Sequence, residues 1–121
     1  MSRPQKRTSY LRHIAEAATK IASYIDGMEE ADFRADERTQ EAVIFNLMIV
    51  GEATSKLLNG HGDFLERYPD VSWASMKGMR NRIAHGYFEI NLGIVWETAR
   101  TAMPDLLTRL PAMIAVAEAE S

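Results

Sequence analysis

The spacing of apolar residues along the chain predicts a protein built of helices. Five apolar residues near the N-terminus recur at intervals of three and four: Leu11, Ile14, Ala18, Ile21 and Ile25. This stripe predicts a helix over roughly residues 8–26, which Gly27 ends. No segment alternates apolar and polar residues over enough length to indicate a strand. The sequence therefore predicts an all-α fold, and its 121 residues suit one domain that spans residues 1–121.

The second predicted helix is apolar on nearly every side. Asp36 is suited to cap its N-terminus, and the helix is predicted to run to about Leu58, before Asn59-Gly60. Seven of its residues are apolar: Val43, Ile44, Phe45, Leu47, Met48, Ile49 and Val50. A helix of this kind is buried on several sides. The pattern indicates either a helical partner, most simply a second copy of the chain, or a position at the centre of one bundle.

The rest of the chain is predicted to add further helices joined by short connections. Residues 28–36 and 61–71 are predicted to be connections, the second with one helical turn around Phe64. Ser72 caps a third helix that begins near Trp73 and ends at Gly86, and Asn91 caps a fourth. Pro104 fits the first turn of a further segment, which Pro111 would kink. We therefore expect an antiparallel bundle of four to five helices.

One charged residue lies within the apolar face of the third helix. Spacings of three and four place five residues on this face: Trp73, Met76, Arg80, Ile83 and Tyr87. Burying a charge without a partner is costly, so Arg80 needs either an ion-pair partner, such as Glu52 or Glu97, or a functional role. His85 follows five residues later, which on a continuous helix turns it about 140° away from Arg80. A helix bend, a helix end or a dimer seam is needed to bring the two together, and spacing alone favours a structural role for both.

Charge and composition restrict the classes of function only a little. The net charge of −3 does not indicate a nucleic-acid binder, but residues 77–82 carry three bases and no acid, and such a patch can bind phosphates. The chain has no cysteine, which excludes disulfides and thiolate metal sites and favours a cytoplasmic location. The N-terminus does not look like a signal peptide, and the longest apolar run, residues 42–50, is too short to span a membrane.

Residues 79–87 resemble the HepT form of the HEPN signature, Arg-x4-His-x-Tyr, with Arg80, His85 and Tyr87 at its fixed positions. The flanking segments 46–53, 73–80 and 94–97 resemble the same family in the same order, so the resemblance covers nearly the whole chain. It implies a HEPN-type helical bundle that dimerises through its helices, with two Arg/His sets meeting at the interface.

The resemblance also implies an activity. HEPN ribonucleases cleave RNA without a metal or other cofactor, using the 2′-hydroxyl of the substrate as the nucleophile. Carried over, His85 is the general acid and base, and Arg80 binds the scissile phosphate. Asn81 would position the phosphate or His85, and Lys77 and Arg82 are further candidates for contact with RNA. Glu52 is expected to anchor Arg80.

HepT proteins are toxins paired with MntA-like minimal nucleotidyltransferase antitoxins, in an arrangement of the type VII kind. By resemblance, Tyr87 is the residue that the antitoxin adenylylates, and the added phosphate would repel RNA beside Arg80. Two alternatives stay open. The chain could be a non-catalytic HEPN dimer that binds a nucleotidyltransferase or nucleotides, or the resemblance could extend to the fold alone.

Overall fold

Helices form nearly all of the described chain, which comprises residues 3–86 and 89–121 of a computed structural model. Their bounds are α1 Arg3–Tyr24, α2 Glu30–Arg34, α3 Glu37–Leu65, α4 Trp73–Gly86, α5 Leu92–Glu97, a π-helical segment Thr98–Ala102, and α6 Met103–Ala119. The last three follow one another without a break, so the described residues form four long helices and the short α2. No strand occurs in this part of the chain, which confirms the predicted all-α class.

The bundle is antiparallel, and α1 packs against both α3 and α6. Near the start of α1, Arg7 donates a hydrogen bond from Nη2 to Glu120, 3.0 Å away beyond the end of α6. The same guanidinium lies 4.3 Å from the ring centroid of Phe64, near the end of α3. The first turns of α1 therefore meet the last turns of both neighbours, as the bundle prediction requires.

The core follows the predicted apolar stripes. Its largest fully buried side chains come from every long helix except α4: Leu11, Ile14, Ile21, Phe33, Val43, Val50, Leu57, Phe64, Val95, Met103, Leu110 and Met113. Helix α4 contributes Trp73 and Ile83, which are buried but not fully enclosed. None of the described helices is both long enough and apolar enough to cross a membrane.

The bounds of the first helix, and the connection between it and α3, differ from the prediction. Helix α1 begins at Arg3 rather than near residue 8, and it ends at Tyr24. Gly27 follows with φ of 76°, a left-handed conformation that glycine adopts without steric cost. The acidic connection contains the short helix α2, because Phe33 is buried there and packs 5.4 Å from the ring of Trp96.

The predicted end of α3 at Leu58 was wrong, because the helix continues to Leu65. Asn59-Gly60 does not stop it, and the backbone instead leaves helical geometry at His61, with φ −141° and ψ 34°. The irregular turn lets His61 and Phe64 both reach the core, where burial of Phe64 offsets the broken helix. The connection to α4 is therefore shorter than the predicted 61–71.

Two of the three predicted side-chain caps are present, whereas Ser72 accepts from Ser75 and Met76 through its backbone oxygen. The side chain of Asp36 accepts a hydrogen bond from the backbone N–H of Thr39 at 3.1 Å, and the side chain of Asn91 accepts one from Ile94 at 3.1 Å. Helix α4 begins at Trp73 as predicted, and Pro104 lies in the first turn of α6. Pro111 lies inside α6, which continues to Ala119.

His61 is the buried titratable residue whose environment most opposes its charge. Its side chain is buried beside the ring of Tyr10, and its Nδ1 has no hydrogen-bond partner among the described residues. Burial, with the charges of Arg3 and Arg7, lowers the pKa of His61 below its usual 6.5, and nearby Asp63 opposes this only in part. The native state therefore favours the neutral imidazole.

We expect the protein to lose stability as the pH falls below about 6.5, because the unfolded chain then binds a proton that native His61 resists. The contribution is fully present above the unfolded pKa and is lost as the pH falls through the lower native value. Urea unfolding at pH 7.5 and pH 5.5 should show a lower midpoint at pH 5.5, and His61→Phe should reduce the difference. An equal difference in both proteins would contradict this assignment.

Candidate functional site

Helices α3 and α4 come closest at Gly51, where α3 has no side chain. A Cβ built on Gly51 would lie 2.2 Å from Cβ of Arg80 and 3.0 Å from the backbone oxygen of Met76. Non-bonded atoms cannot approach to the first of these distances, so no larger residue fits without moving α4. The contact fixes the position of Arg80 along α3 and the direction in which its side chain extends from α4.

The guanidinium of Arg80 is held by two oxygens. Its Nε donates to Oε1 of Glu52, one residue beyond Gly51 on α3, and its Nη1 donates to Oδ1 of Asn81 at 2.9 Å. The Arg80 side chain is 31% exposed and that of Glu52 is 45% exposed. Of the two predicted partners, Glu52 is therefore the one bound, and Glu97 lies near Arg100 instead.

A guanidinium held in this way keeps part of its donor capacity. Arginine has five N–H groups, and one is given to Glu52 and one to Asn81. Three N–H groups remain without a partner among the described residues, on a side chain that reaches solvent. Such a fixed, partly exposed fork matches the geometry of a phosphate.

His85 lies on another side of α4. It is exposed and lines a cavity of about 550 Å³ together with Asn81 and Arg82, and the lining does not include Arg80. Both Arg80 and His85 lie inside α4, so the separation of about 140° expected for a continuous helix applies. Helix α4 ends only after His85, at Gly86, and convergence across a dimer seam stays a prediction.

The other predicted residues are distributed along the same helix. Lys77 is half-buried in the middle of α4 and Arg82 is exposed, and neither has a carboxylate within ion-pair distance in the described part of the chain. Asn81 connects the two sides of α4, because it accepts from Arg80 and also lines the cavity of His85. Tyr87 lies outside the described residues. Among residues 3–86 and 89–121 no group of three or more metal-ligating side chains occurs.

Helix α3 also carries an apolar surface that remains uncovered. Helices α1 and α4 bury two sides of α3, which accounts for most of its unusual apolar composition. Phe45 nevertheless stays 65% exposed, and Ile49 is half-buried one turn further along. The sequence indicated that α3 is apolar on nearly every side. Which side stays exposed could not be predicted, because that depends on where the other helices pack against α3.

Two features of the site were missed in the sequence. The role of Gly51 had no local signal, since a helical glycine next to a glutamate looks unremarkable until α4 is placed against it. The bond from Arg80 to Asn81 was also missed, because adjacent helical residues point in different directions and only long side chains meet. Asn81 was instead expected to contact a phosphate or His85.

The chain resembles proteins described as probable or putative ribonucleases over most of its length. The family described as ribonuclease HepT-like matches residues 14–113. The chain is 36% identical to "Probable ribonuclease HepT" of Thermococcus cleftensis over 80% of this chain and 86% of that protein. It is 32% identical to "Putative RNase MJ0127" of Methanocaldococcus jannaschii over 93% of this chain and 90% of that protein. No solved structure matches the chain significantly.

Substituting Gly51→Ala tests the contact that positions Arg80. The added methyl would overlap Arg80 and the backbone of Met76, so we expect the free energy of unfolding to fall by about 1–3 kcal/mol. Gly78→Ala is the matched control, because it lies in α4 with open space at its Cβ position, and alanine favours a helix by about 0.5–1 kcal/mol. Chemical denaturation measures both, and equal stability of the two variants would refute the close-packing argument.

Proposed function

Since the chain belongs to the ribonuclease HepT-like family, we propose that it is a metal-independent endoribonuclease in which Arg80 binds the scissile phosphate and His85 transfers protons. The observation that carries this proposal is the state of Arg80. Its guanidinium is fixed by Glu52 and Asn81, yet it keeps three N–H groups and access to solvent. A guanidinium that is fixed in place and still has donors facing solvent is suited to bind a phosphate.

The proposed site is composite and needs two copies of the chain. Within one chain, Arg80 faces the side of Glu52, whereas His85 faces a separate cavity. A two-fold axis beside α4 would bring Arg80 of one copy near His85 of the other, because an isologous interface pairs each surface with its counterpart. The same axis would place two sets of Lys77 and Arg82 around the RNA backbone.

The exposed face of α3 is the surface that we propose for this dimer. Phe45, Ile49, Glu52 and Lys56 are spaced by four, three and four residues, so they share one face. A cavity of about 250 Å³ opens beside them, lined by side chains such as Tyr10, Met48 and Ile49. One protomer thus offers both an exposed aromatic ring and an apolar depression, as a self-complementary interface requires. Glu52 lies on this face and binds Arg80, so the proposed interface adjoins the arginine.

The chemistry at the site is a transfer within the RNA. A neutral His85 accepts the proton of a ribose 2′-hydroxyl, and the oxygen attacks the adjacent phosphorus. The bond from phosphorus to the 5′-oxygen of the next nucleotide breaks, and that oxygen takes a proton from the protonated His85 of the other copy. The products are a 2′,3′-cyclic phosphate and a 5′-hydroxyl. Arg80 stabilises the charge on the phosphate oxygens during the step.

Regulation by a partner enzyme is the remaining part of the proposal. We propose that the chain is the toxin of a toxin–antitoxin pair, silenced when a nucleotidyltransferase adenylylates Tyr87. Tyr87 follows α4 directly in sequence, two residues after His85. An AMP group there would add a negative phosphate close to the site and exclude RNA by charge and by bulk.

We expect the purified, unmodified protein to cleave cellular RNA in the presence of EDTA and to leave 2′,3′-cyclic phosphate ends. His85→Ala should lower the rate about 100-fold or more, because general acid–base catalysis contributes at least this factor. Arg80→Ala should lower it comparably, whereas Arg38→Ala, an exposed arginine at the start of α3, should leave it unchanged. Absence of cleavage by folded protein, or cleavage that survives His85→Ala, would overturn the proposal.

The dimer is tested by placing a charge on its proposed seam. We expect wild-type protein to sediment at twice the chain mass of 13.6 kDa, and Phe45→Glu to sediment as a monomer without ribonuclease activity. Tyr24→Glu is the matched control, since Tyr24 is also an exposed aromatic residue but lies at the end of α1. A wild-type protein of 13.6 kDa, or a Phe45→Glu variant that stays dimeric, would contradict the proposed surface.

A further inference from the structure

Helix α4 leaves an open groove on the side that faces α5 and α6, where Leu47 and Val50 of α3 also contribute to the lining. In the described part of the chain it packs chiefly against α3, and it makes no comparably extensive contact with α5 or α6. Two cavities, of about 250 Å³ and about 550 Å³, occupy the space between α4 and the rod formed by α5, the π-helical segment and α6. They share Met79, Arg82 and Ile94, so they adjoin, and together they are called the α4 groove.

The two ends of the α4 groove differ in chemistry. The wider end contains His85 and Asn81, which belong to the site already described. The narrower end is walled by Met76 and Met79 of α4 and by Thr98 and Ala102 of the π-helical segment, over a floor that includes Met103. The thioethers of methionine are polarizable and make favourable contacts with aromatic rings. Segments of π-helix are rare and occur frequently at functional sites.

One cation of the α4 groove is available to a phosphate. Asp70 and Asp105 lie at the narrow end, and Arg109 is 3.8 Å from the first and 3.1 Å from the second. Arg82, which lines both cavities, has no carboxylate within ion-pair distance among the described residues. Both acids of the narrow end thus have a cation beside them, Glu89 lines the wide end, and Arg82 lies where the two ends join.

We propose that the narrow end of the α4 groove binds a nucleobase of single-stranded RNA next to the phosphodiester that His85 acts on, with Arg82 on the intervening phosphate. This inference rests on the proposed function, because the cavity of His85 adjoins the narrow end and Arg82 lines both, which favours RNA as the occupant. Unpaired bases are commonly recognised by apolar contact with their faces and by hydrogen bonds to their edges. The methionines and Ile94 supply the faces, and Ser72, Ser75 and Thr98 lie along the edge.

The proposal predicts binding that depends on the base as well as on the backbone. We expect the His85→Ala protein to bind a short single-stranded oligoadenylate about tenfold more tightly than an abasic ribose-phosphate chain of equal length, measured by fluorescence anisotropy. Tenfold corresponds to 1.4 kcal/mol, which lies within the 1–3 kcal/mol found for stacking of a single base. Equal affinity for the two chains would overturn the proposal without any substitution in the groove.

Filling the narrow end gives the second arm of the test. Ala102 is exposed on the groove wall, so Ala102→Phe should occupy the space without disturbing the core and should remove the preference for the oligoadenylate. Ala115→Phe, an equally exposed position of α6 whose side chain lies outside the groove lining, should retain it. If Ala102→Phe keeps the preference for the oligoadenylate, the narrow end is not a base site. If Ala102→Phe converts a dimer to a monomer, the narrow end is instead a contact between two copies of the chain.

Failure of this inference is distinguishable from failure of the proposed ribonuclease activity. Base-dependent binding that Ala102→Phe removes, in a protein that cleaves no RNA, would support the groove and overturn only the catalytic proposal. Cleavage that depends on His85, combined with equal binding of the two chains with and without bases, would support the catalytic proposal and overturn only the groove. Capture of a protein segment in the groove in place of RNA would overturn the inference.

Discussion

The absence of a side chain at Gly51 is the constraint on which the arrangement of the site depends. It lets α4 approach α3 until backbone and Cβ atoms touch, and it brings Arg80 within reach of Glu52 on the next residue of α3. The ion pair and the close approach therefore reinforce each other, because each requires the same distance between the two helices. A partly exposed ion pair alone contributes little to stability, so the packing contact is what fixes the arginine.

Helix α4 divides its functional groups between two of its faces. Arg80 faces α3 with Glu52, and His85 and Arg82 face the α4 groove on another side. Asn81 contacts both sides, which links the position of the guanidinium to the wall of the groove. An active site within one chain would need Arg80 and His85 on the same face of α4. A site shared between two copies can combine groups from different faces. The uncovered stripe of α3 around Phe45 lies on the side where such a second copy would have to pack.

The sequence predicted the helices and the unusual position of Arg80 well, because both depend on local spacing. The caps at Asp36 and Asn91 were also recognisable, since a cap is a contact between residues three apart. Three features were not accessible in this way. The continuation of α3 beyond Asn59-Gly60 depends on burial of Phe64 by a distant helix. The importance of Gly51 depends on its contacts with Met76 and Arg80 of α4. The α4 groove depends on which elements α4 does not pack against. Each is set by packing between elements, which local patterns do not encode.

The one-sided attachment of α4 has a consequence for how the protein distributes its stability. Helix α1 packs against both α3 and α6, whereas α4 packs chiefly against α3 and contributes only Trp73 and Ile83 to the core. Detaching α4 breaks one extensive helix–helix interface and detaching α1 breaks two, so local opening of α4 requires less free energy than global unfolding. Its backbone amides should therefore exchange with solvent before those of α1 and α3. Substitutions on its groove side therefore disturb the bundle beneath less than substitutions on the face that holds Arg80.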